Sequence, residues 1–229
     1  VKPYYDREGI VIYHGRAEEV LPTMEDGSVG LIAADPPYNL GMDYGEGVDD
    51  TRRPEEFAAF VDGFMPELLR VGLATILTPG IANLAIYLRH APRWILAWHK
   101  PFGVSHTPVG FNNWEPVLFW GKWPKRHYSD YIYAPLHLAD KGLGLHACPK
   151  PVGLFLRLID WFSSEGDIIC DPFLGSGTAL VAAKQLGRRG IGIELSERYC
   201  EVAAKRIDKV LAHPPLVGFN EAVEQGVLL

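Results

Sequence analysis

Two short segments of this 229-residue chain combine residue types that could do chemistry: Asp35-Pro36-Pro37-Tyr38 and Asp171-Pro172-Phe173-Leu174-Gly175-Ser176-Gly177-Thr178. The first follows the apolar run Val29–Ala34. Its two prolines stiffen the backbone, remove two N–H donors and leave carbonyls facing outward. Asp35 adds a carboxylate acceptor and Tyr38 a flat ring, a set suited to a planar ligand with an amino group. The carboxylate and the Pro36 carbonyl can each accept one amino hydrogen while Tyr38 stacks on the ring. Held so, the nitrogen lone pair points toward an electrophile. Standing alone, the segment also reads as a strand-ending turn with a solvated acid.

The second segment lies in a strand, glycine turn, helix and second strand that ends in Glu194. Gly175 and Gly177 let a ligand approach the backbone, and the helix start behind them favours polar or anionic groups. A carboxylate placed like Glu194 commonly accepts hydrogen bonds from ribose hydroxyls. Leu180 stands where a dinucleotide fingerprint needs its third glycine, which disfavours a nicotinamide or flavin site. No GK[ST] follows, so a phosphate-binding P-loop is excluded.

Apolar runs and amphipathic helices alternate, as in an α/β fold with a largely parallel sheet. Strands are expected at Ile10–Tyr13, Val29–Ala34, Leu73–Leu77, Trp94–Trp98, Pro116–Trp120, Asp167–Cys170 and Gly190–Ile193. Pro54 and Pro151 suit first helical positions, and Thr178–Leu186 is an Ala-rich helix stopped by Gly187. Ser196 is an expected N-cap for a helix burying Tyr199, Val202, Ala203, Ile207 and Val210. Asn39–Arg53 and Trp123–Leu145 show no periodicity, and loops of that length are usually functional.

Hydrophobic residues at 48% and charged residues at 22% describe an ordinary globular chain rather than a disordered one. No apolar stretch approaches the roughly 20 residues that cross a bilayer. Three cysteines without CxxC spacing, and no signal-peptide layout, make a reduced cytoplasmic setting the expectation. A net charge of -6 sits awkwardly with phosphate binding, but basic residues cluster at Arg52-Arg53, Arg188-Arg189 and Lys122, Lys125, Arg126 and His127. Trp123, beside the last cluster, is the tryptophan best placed for a nucleic acid. Trp94, Trp98, Trp114 and Trp120 are expected in the core, and no histidine or cysteine pair has metal-ligand spacing.

Together the two segments resemble the motifs of the DNA amino-methyltransferases, in which a DPPY-type motif forms the catalytic site and a DPFxGSGT motif binds S-adenosylmethionine. The catalytic motif comes first, so the chain resembles the permuted, beta-type subgroup. His146–Pro151 (HACPKP) is similar to the family's HxxxKP segment. The resemblance implies one domain over residues 1–229: a Rossmann-like methyltransferase fold with a seven-stranded, mostly parallel sheet and a short target-recognition insertion at about 123–145. It implies that Asp35, Pro36, Pro37 and Tyr38 hold a base taken out of the duplex. Lys150, Pro151, Asp171, Pro172, Phe173, Gly175, Ser176, Gly177, Thr178, Glu194 and Leu195 would line the cofactor S-adenosyl-L-methionine. Arg52, Arg53, Lys122, Trp123, Lys125 and Arg126 are the expected nucleic-acid contacts, with no metal. DNA is the implied partner and adenine the implied base, since cytosine-specific members more often carry Ser in place of Asp35. A cytosine amino group, an RNA and a protein amide are the alternatives. The short recognition segment implies a short recognition sequence or help from a homodimer or a restriction- or phage-encoded partner.

Overall fold

The computed structural model describes residues 2–41, 50–100, 106–107, 110–124, 128–135 and 150–212. Strands occur at β1 (Tyr5–Arg7), β2 (Ile10–His14), β3 (Leu31–Ala34), β4 (Ala74–Leu77), β5 (Trp94–His99), β6 (His106–Thr107), β7 (Gly110–Phe111), β8 (Trp114–Gly121), β9 (Tyr131–Tyr133), β10 (Ile168–Asp171) and β11 (Arg189–Glu194). Nine of them form one sheet in the order β1-β2-β11-β10-β3-β4-β8-β5-β9, and β6 with β7 forms a separate hairpin. The middle of the sheet, from β2 to β4, is parallel, while β8 runs antiparallel to both β4 and β5.

All seven strands expected from the sequence are present, and among the described residues the main sheet has nine. The additions are the two sheet edges, β1 and β9, each three residues long. So short a run has no readable periodicity, and an edge strand needs only one partner. β9 covers β5 only from Ala97 to His99. Trp94, at the uncovered end of β5, is 51% exposed, and Trp114, at the start of β8, is 42% exposed. These two correct the expectation of four core tryptophans; Trp98 and Trp120 are buried.

The helices are α1 (Ala17–Val20), α2 (Pro54–Val71), α3 (Leu84–Leu88), α4 (Val152–Phe162), α5 (Thr178–Gln185) and α6 (Glu197–Leu211). Because strand side chains alternate, each strand feeds two cores. Leu31, Ala33, Ile76, Leu96 and Trp98 meet Leu154, Leu158, Ala179 and Ala182 of α4 and α5. Ile32, Ala34, Leu77 and Leu118 pack under Phe57, Val61, Phe64 and Leu68 of α2. A third cluster joins Ile10, Ile12, Leu174 and Leu180 to Cys200, Ala203 and Ile207 of α6.

This alternation also places the chemistry. Asp35 continues the parity of Leu31 and Ala33, and Lys100 that of Leu96 and Trp98. Glu115 is paired with Trp98 in the ladder. All three positions therefore belong to the α4 side, at the end of the sheet where β3, β4 and β10 terminate. The carboxyl ends of parallel strands, where the chain order reverses, are the ordinary place for ligands in an open α/β sheet.

Gly177 binds the glycine turn to α6. Its φ is +83°, and a Cβ there would stand 2.9 Å from Ala203 Cβ. Gly177→Ala is expected to cost about 1–3 kcal/mol, read as a lower urea midpoint with an unchanged slope.

Candidate active site

Asp35 emerges one residue beyond β3 and gathers polar groups from two other elements and from its own loop. Its Oδ1 accepts the Thr78 hydroxyl at 2.6 Å, from the residue just past β4. Lys150, two residues ahead of α4, donates Nζ to Oδ2 at 3.0 Å. Tyr38 turns back so that its hydroxyl can donate to Asp35 Oδ1 at 2.7 Å or to the Thr78 carbonyl at 2.7 Å. Glu115 Oε2 stands 3.4 Å from the same hydroxyl. Asn83 donates Nδ2 to the Tyr38 carbonyl at 2.8 Å, which fixes the turn. Burial first, then the charges of Asp35 and Glu115, push the Tyr38 phenol well above its ordinary value, so it stays protonated and can donate.

Glu115 and Lys100 stand behind this corner. Lys100 Nζ is paired with Glu115 Oε1, and Lys150 Nζ lies 3.7 Å from Oε2. Burial alone would raise the Glu115 carboxyl; the Lys150 and Lys100 ammonium groups outweigh it and hold the acid below the ordinary range. It is a carboxylate.

The second segment forms the neighbouring strand end. Asp171 closes β10, and its Oδ1 accepts the Phe173 N–H at 3.0 Å. Burial, with added repulsion from Asp35 and Glu194, pushes its carboxyl well above the usual range, against the Phe173 hydrogen bond. Among the described residues, no cation is one of the groups acting on it. The Glu194 carboxylate at the end of β11 accepts the Gly175 N–H at 2.7 Å and the Ser196 N–H at 2.8 Å. Arg206 of α6 donates to the Ser176 carbonyl at 2.6 Å, the Ser176 hydroxyl at 2.8 Å and the Thr178 hydroxyl at 3.2 Å.

β10 and β3 are adjacent and parallel, with Cys170 opposite Ile32. Asp35 and Asp171, 136 positions apart in the numbering, thus end neighbouring strands on the same edge. A family model described as DNA methylase matches residues 94–205. Over those residues the chain is similar to the DNA methylases. It is 29% identical to the type II methyltransferase M.HpaI of Haemophilus parainfluenzae, over 84% of this chain and 72% of that one. It is 28% identical to M2.DpnII of Streptococcus pneumoniae, over 90% and 92%. The fold is similar to that of the cytosine-N4-specific PvuII DNA methyltransferase, with a TM-score of 0.73, 17% identity and coverage of 92% and 93%. A DNA modification methylase from Thermus thermophilus, solved with S-adenosyl-L-methionine, has a TM-score of 0.66 at 24% identity, covering 87% of this chain and 93% of that one.

Several of the expected site residues make contacts within the fold that the motifs do not announce. Lys150, expected beside the cofactor, reaches Asp35, because α4 begins over the end of β3. The Ser176 and Thr178 hydroxyls turn to Arg206. Glu194 holds the glycine turn through one oxygen and the start of α6 through the other, and the Leu195 carbonyl is 3.0 Å from His14 Nε2. Phe173 packs edge-on against Phe64 of α2, 4.9 Å between centroids. Pro36 and Pro172 are buried. The Tyr38 hydroxyl is drawn onto Asp35 and so occupies an acceptor that an amino group would use.

The expected nucleic-acid contacts separate. Arg52 stacks over Phe60 at 4.4 Å and exchanges hydrogen bonds with Asn39, next to Tyr38. Asp50 accepts the N–H groups of Asn39 and Leu40 at 2.9 and 3.0 Å, so the two ends of the Asn39–Arg53 loop are tied together near the Asp35 corner. Arg53 pairs with Glu55 and Glu56 at the start of α2. Lys122 and Trp123 follow the far end of β8, an eight-residue strand whose near end carries Glu115. At about 3.3 Å per residue that places them roughly 25 Å from Asp35. Trp123 stacks there under Arg93. Lys125 and Arg126 lie outside the described residues, as do His146 to Pro149 and most of the segment 123–145. Within that segment Tyr131–Tyr133 is sheet, as β9.

Thr78, Asn83, Lys100 and Arg206 join the candidate site without any announcement in the sequence. None belongs to a recognisable motif, and each meets its partner through the fold. Arg206→Ala is expected to destabilise the fold by about 1.5–3 kcal/mol, the range for hydrogen bonds made by a charged group. It is also expected to raise the KM for the cofactor more than it lowers kcat, in steady-state assays with varied cofactor.

Proposed function

We propose that this chain is a DNA methyltransferase that transfers the methyl group of S-adenosyl-L-methionine to the exocyclic amino nitrogen of an adenine turned out of the duplex. The observation that carries the proposal is the adjacency of Asp35 and Asp171 at the ends of neighbouring parallel strands. One end offers acceptors for an amino group, the other a buried acid beside a glycine turn. The donor set suits the cofactor: Asp35 and Glu194 repel Asp171 with no cation acting there among the described residues, and the cofactor brings an ammonium and a sulfonium. When bound, it supplies a methyl group already electrophilic at carbon.

Asp35 and the Pro36 carbonyl accept the two amino hydrogens, which turns the nitrogen lone pair out of conjugation and toward the β10 side. Tyr38, once its hydroxyl leaves Asp35, is free to present its ring to the base. Extrusion of the base costs a few kcal/mol, which stacking and the two hydrogen bonds offset. Alignment and fixed acceptors do most of the catalytic work in such a site. Asp35, rather than Ser, at the first position of the motif is the feature that favours adenine over cytosine. Arg52, at the loop next to Tyr38, is the best-placed phosphate contact, with Lys122 and Trp123 on a distal part of any DNA footprint.

Incubation with labelled cofactor and separate DNA and RNA pools, followed by nucleoside analysis, tests the assignment. N6-methyladenine in DNA is the expected product. N4-methylcytosine alone would replace adenine, and label confined to RNA would replace DNA.

A further inference from the structure

Lys100, Glu115 and Lys150 are buried charges brought in by three separate elements, with side chains 7%, 9% and 7% exposed. Desolvating charges is costly unless they are paired. Here they alternate in a line from Lys100 through Glu115 and Lys150 to Asp35, with the Tyr38 hydroxyl in reach of the last three. The β8 ladder is already set by its pairing with β4 and β5. A solvated residue at its start would serve the fold as well.

We propose that Glu115, braced by Lys100, is a positioning residue for the transfer: it divides the hold of Lys150 between two carboxylates and gives the Tyr38 hydroxyl a charged acceptor when the target amino group claims Asp35. The proposal rests on Asp35 being the amino acceptor. The Tyr38 hydroxyl has one hydrogen and three acceptors within 3.4 Å: Asp35, the Thr78 carbonyl and Glu115. An incoming N–H must displace it from Asp35 Oδ1. Rotation of the hydroxyl hands the bond to Thr78 or Glu115, and an ionised acceptor makes the stronger bond. Lys150 bridges Asp35 and Glu115. Without Glu115, Lys150 loses one of its two carboxylate partners, and its pull on Asp35 competes more strongly with the amino group for that residue's lone pairs.

Glu115→Gln tests this, and the pair Lys100→Met/Glu115→Gln removes one cation and one anion together, so the buried charge stays balanced. For the pair, the melting temperature and the cofactor affinity by calorimetry are expected to stay near the wild type. Its kcat should fall about 10- to 100-fold, as for an acceptor misplaced by about an ångström. A wild-type kcat in the folded pair overturns the proposal. So does an equal loss of cofactor affinity, since Glu115 would then act through the cofactor pocket. Failure of both variants to fold would assign Glu115 to the fold alone and overturn it too. Asp35→Asn is measured beside them. If Asp35→Asn is fully active, the reading of the catalytic corner fails; if it alone is inactive, only the role of Glu115 fails.

Discussion

Asp35→Asn is expected to lower kcat by about 10²- to 10³-fold, the usual cost of removing one fixed polar group from a site where charge develops. Asparagine keeps the shape of the side chain but replaces one oxygen with a donor. Thr78 and Lys150 already donate to this residue, at 2.6 and 3.0 Å. The amide must turn its oxygen toward one of them, and its NH₂ then faces either a donor or the incoming amino group. Both outcomes remove the acceptor that aims the nitrogen lone pair. Cofactor binding, measured by calorimetry without DNA, is expected to survive. Burst-phase kinetics place the loss in the chemical step or in product release. An undiminished single-turnover rate would take Asp35 out of the chemistry.

The second large effect has opposite signs for stability and for binding. Burial holds the Asp171 carboxyl well above the ordinary range, with Asp35 and Glu194 adding to it. An unfolded chain loses that proton near the ordinary aspartate value of about 3.9. Between that value and the raised native one, the native state binds more protons than the unfolded state. Stability therefore falls as pH rises through the window, and is untouched by Asp171 below it. Asp171→Asn removes the ionisation while keeping an oxygen for the Phe173 N–H. The ligand-free variant is expected to melt higher than the wild type at neutral pH and to show a flatter pH dependence. Cofactor affinity should fall about tenfold to a hundredfold, the cost of losing one charge-assisted contact. Thermal melts from pH 4 to 8, with and without cofactor, read both effects. A variant that melts lower at neutral pH would show that the acid is paired in solution.

These two carboxylates show how far the motifs reach. Asp35 and Asp171 are legible because each sits in a short contiguous pattern on an apolar run, and the order of the patterns suggests the permuted arrangement. The interior strands are legible for a related reason: buried on both faces, they are written as continuous aliphatic runs. Edge strands β1 and β9 are not, since three residues with one partner carry too little pattern. The exposure of Trp94 and Trp114 is equally hidden, because it depends on where a neighbouring strand stops.

Local backbone chemistry, then, belongs to the linear code: proline-stiffened acceptors after β3, a positive φ at Gly177, an acid at the end of β11. Period 2 in the strands and 3.6 in the helices assign faces, and through them the side of the sheet from which Asp35 emerges. Partnership across the fold is another matter. Lys150 meets Asp35 over 115 positions, Arg206 meets Ser176 over 30, and Arg70 of α2 meets the Met24 carbonyl over 46. Long flexible cations carry no directional signal in sequence, since four or more rotatable bonds let each reach several acceptors. Only strand order and helix docking select one. That selection set Lys150, expected as a cofactor contact, beside Asp35, and the strand-end Glu115 beside Lys150.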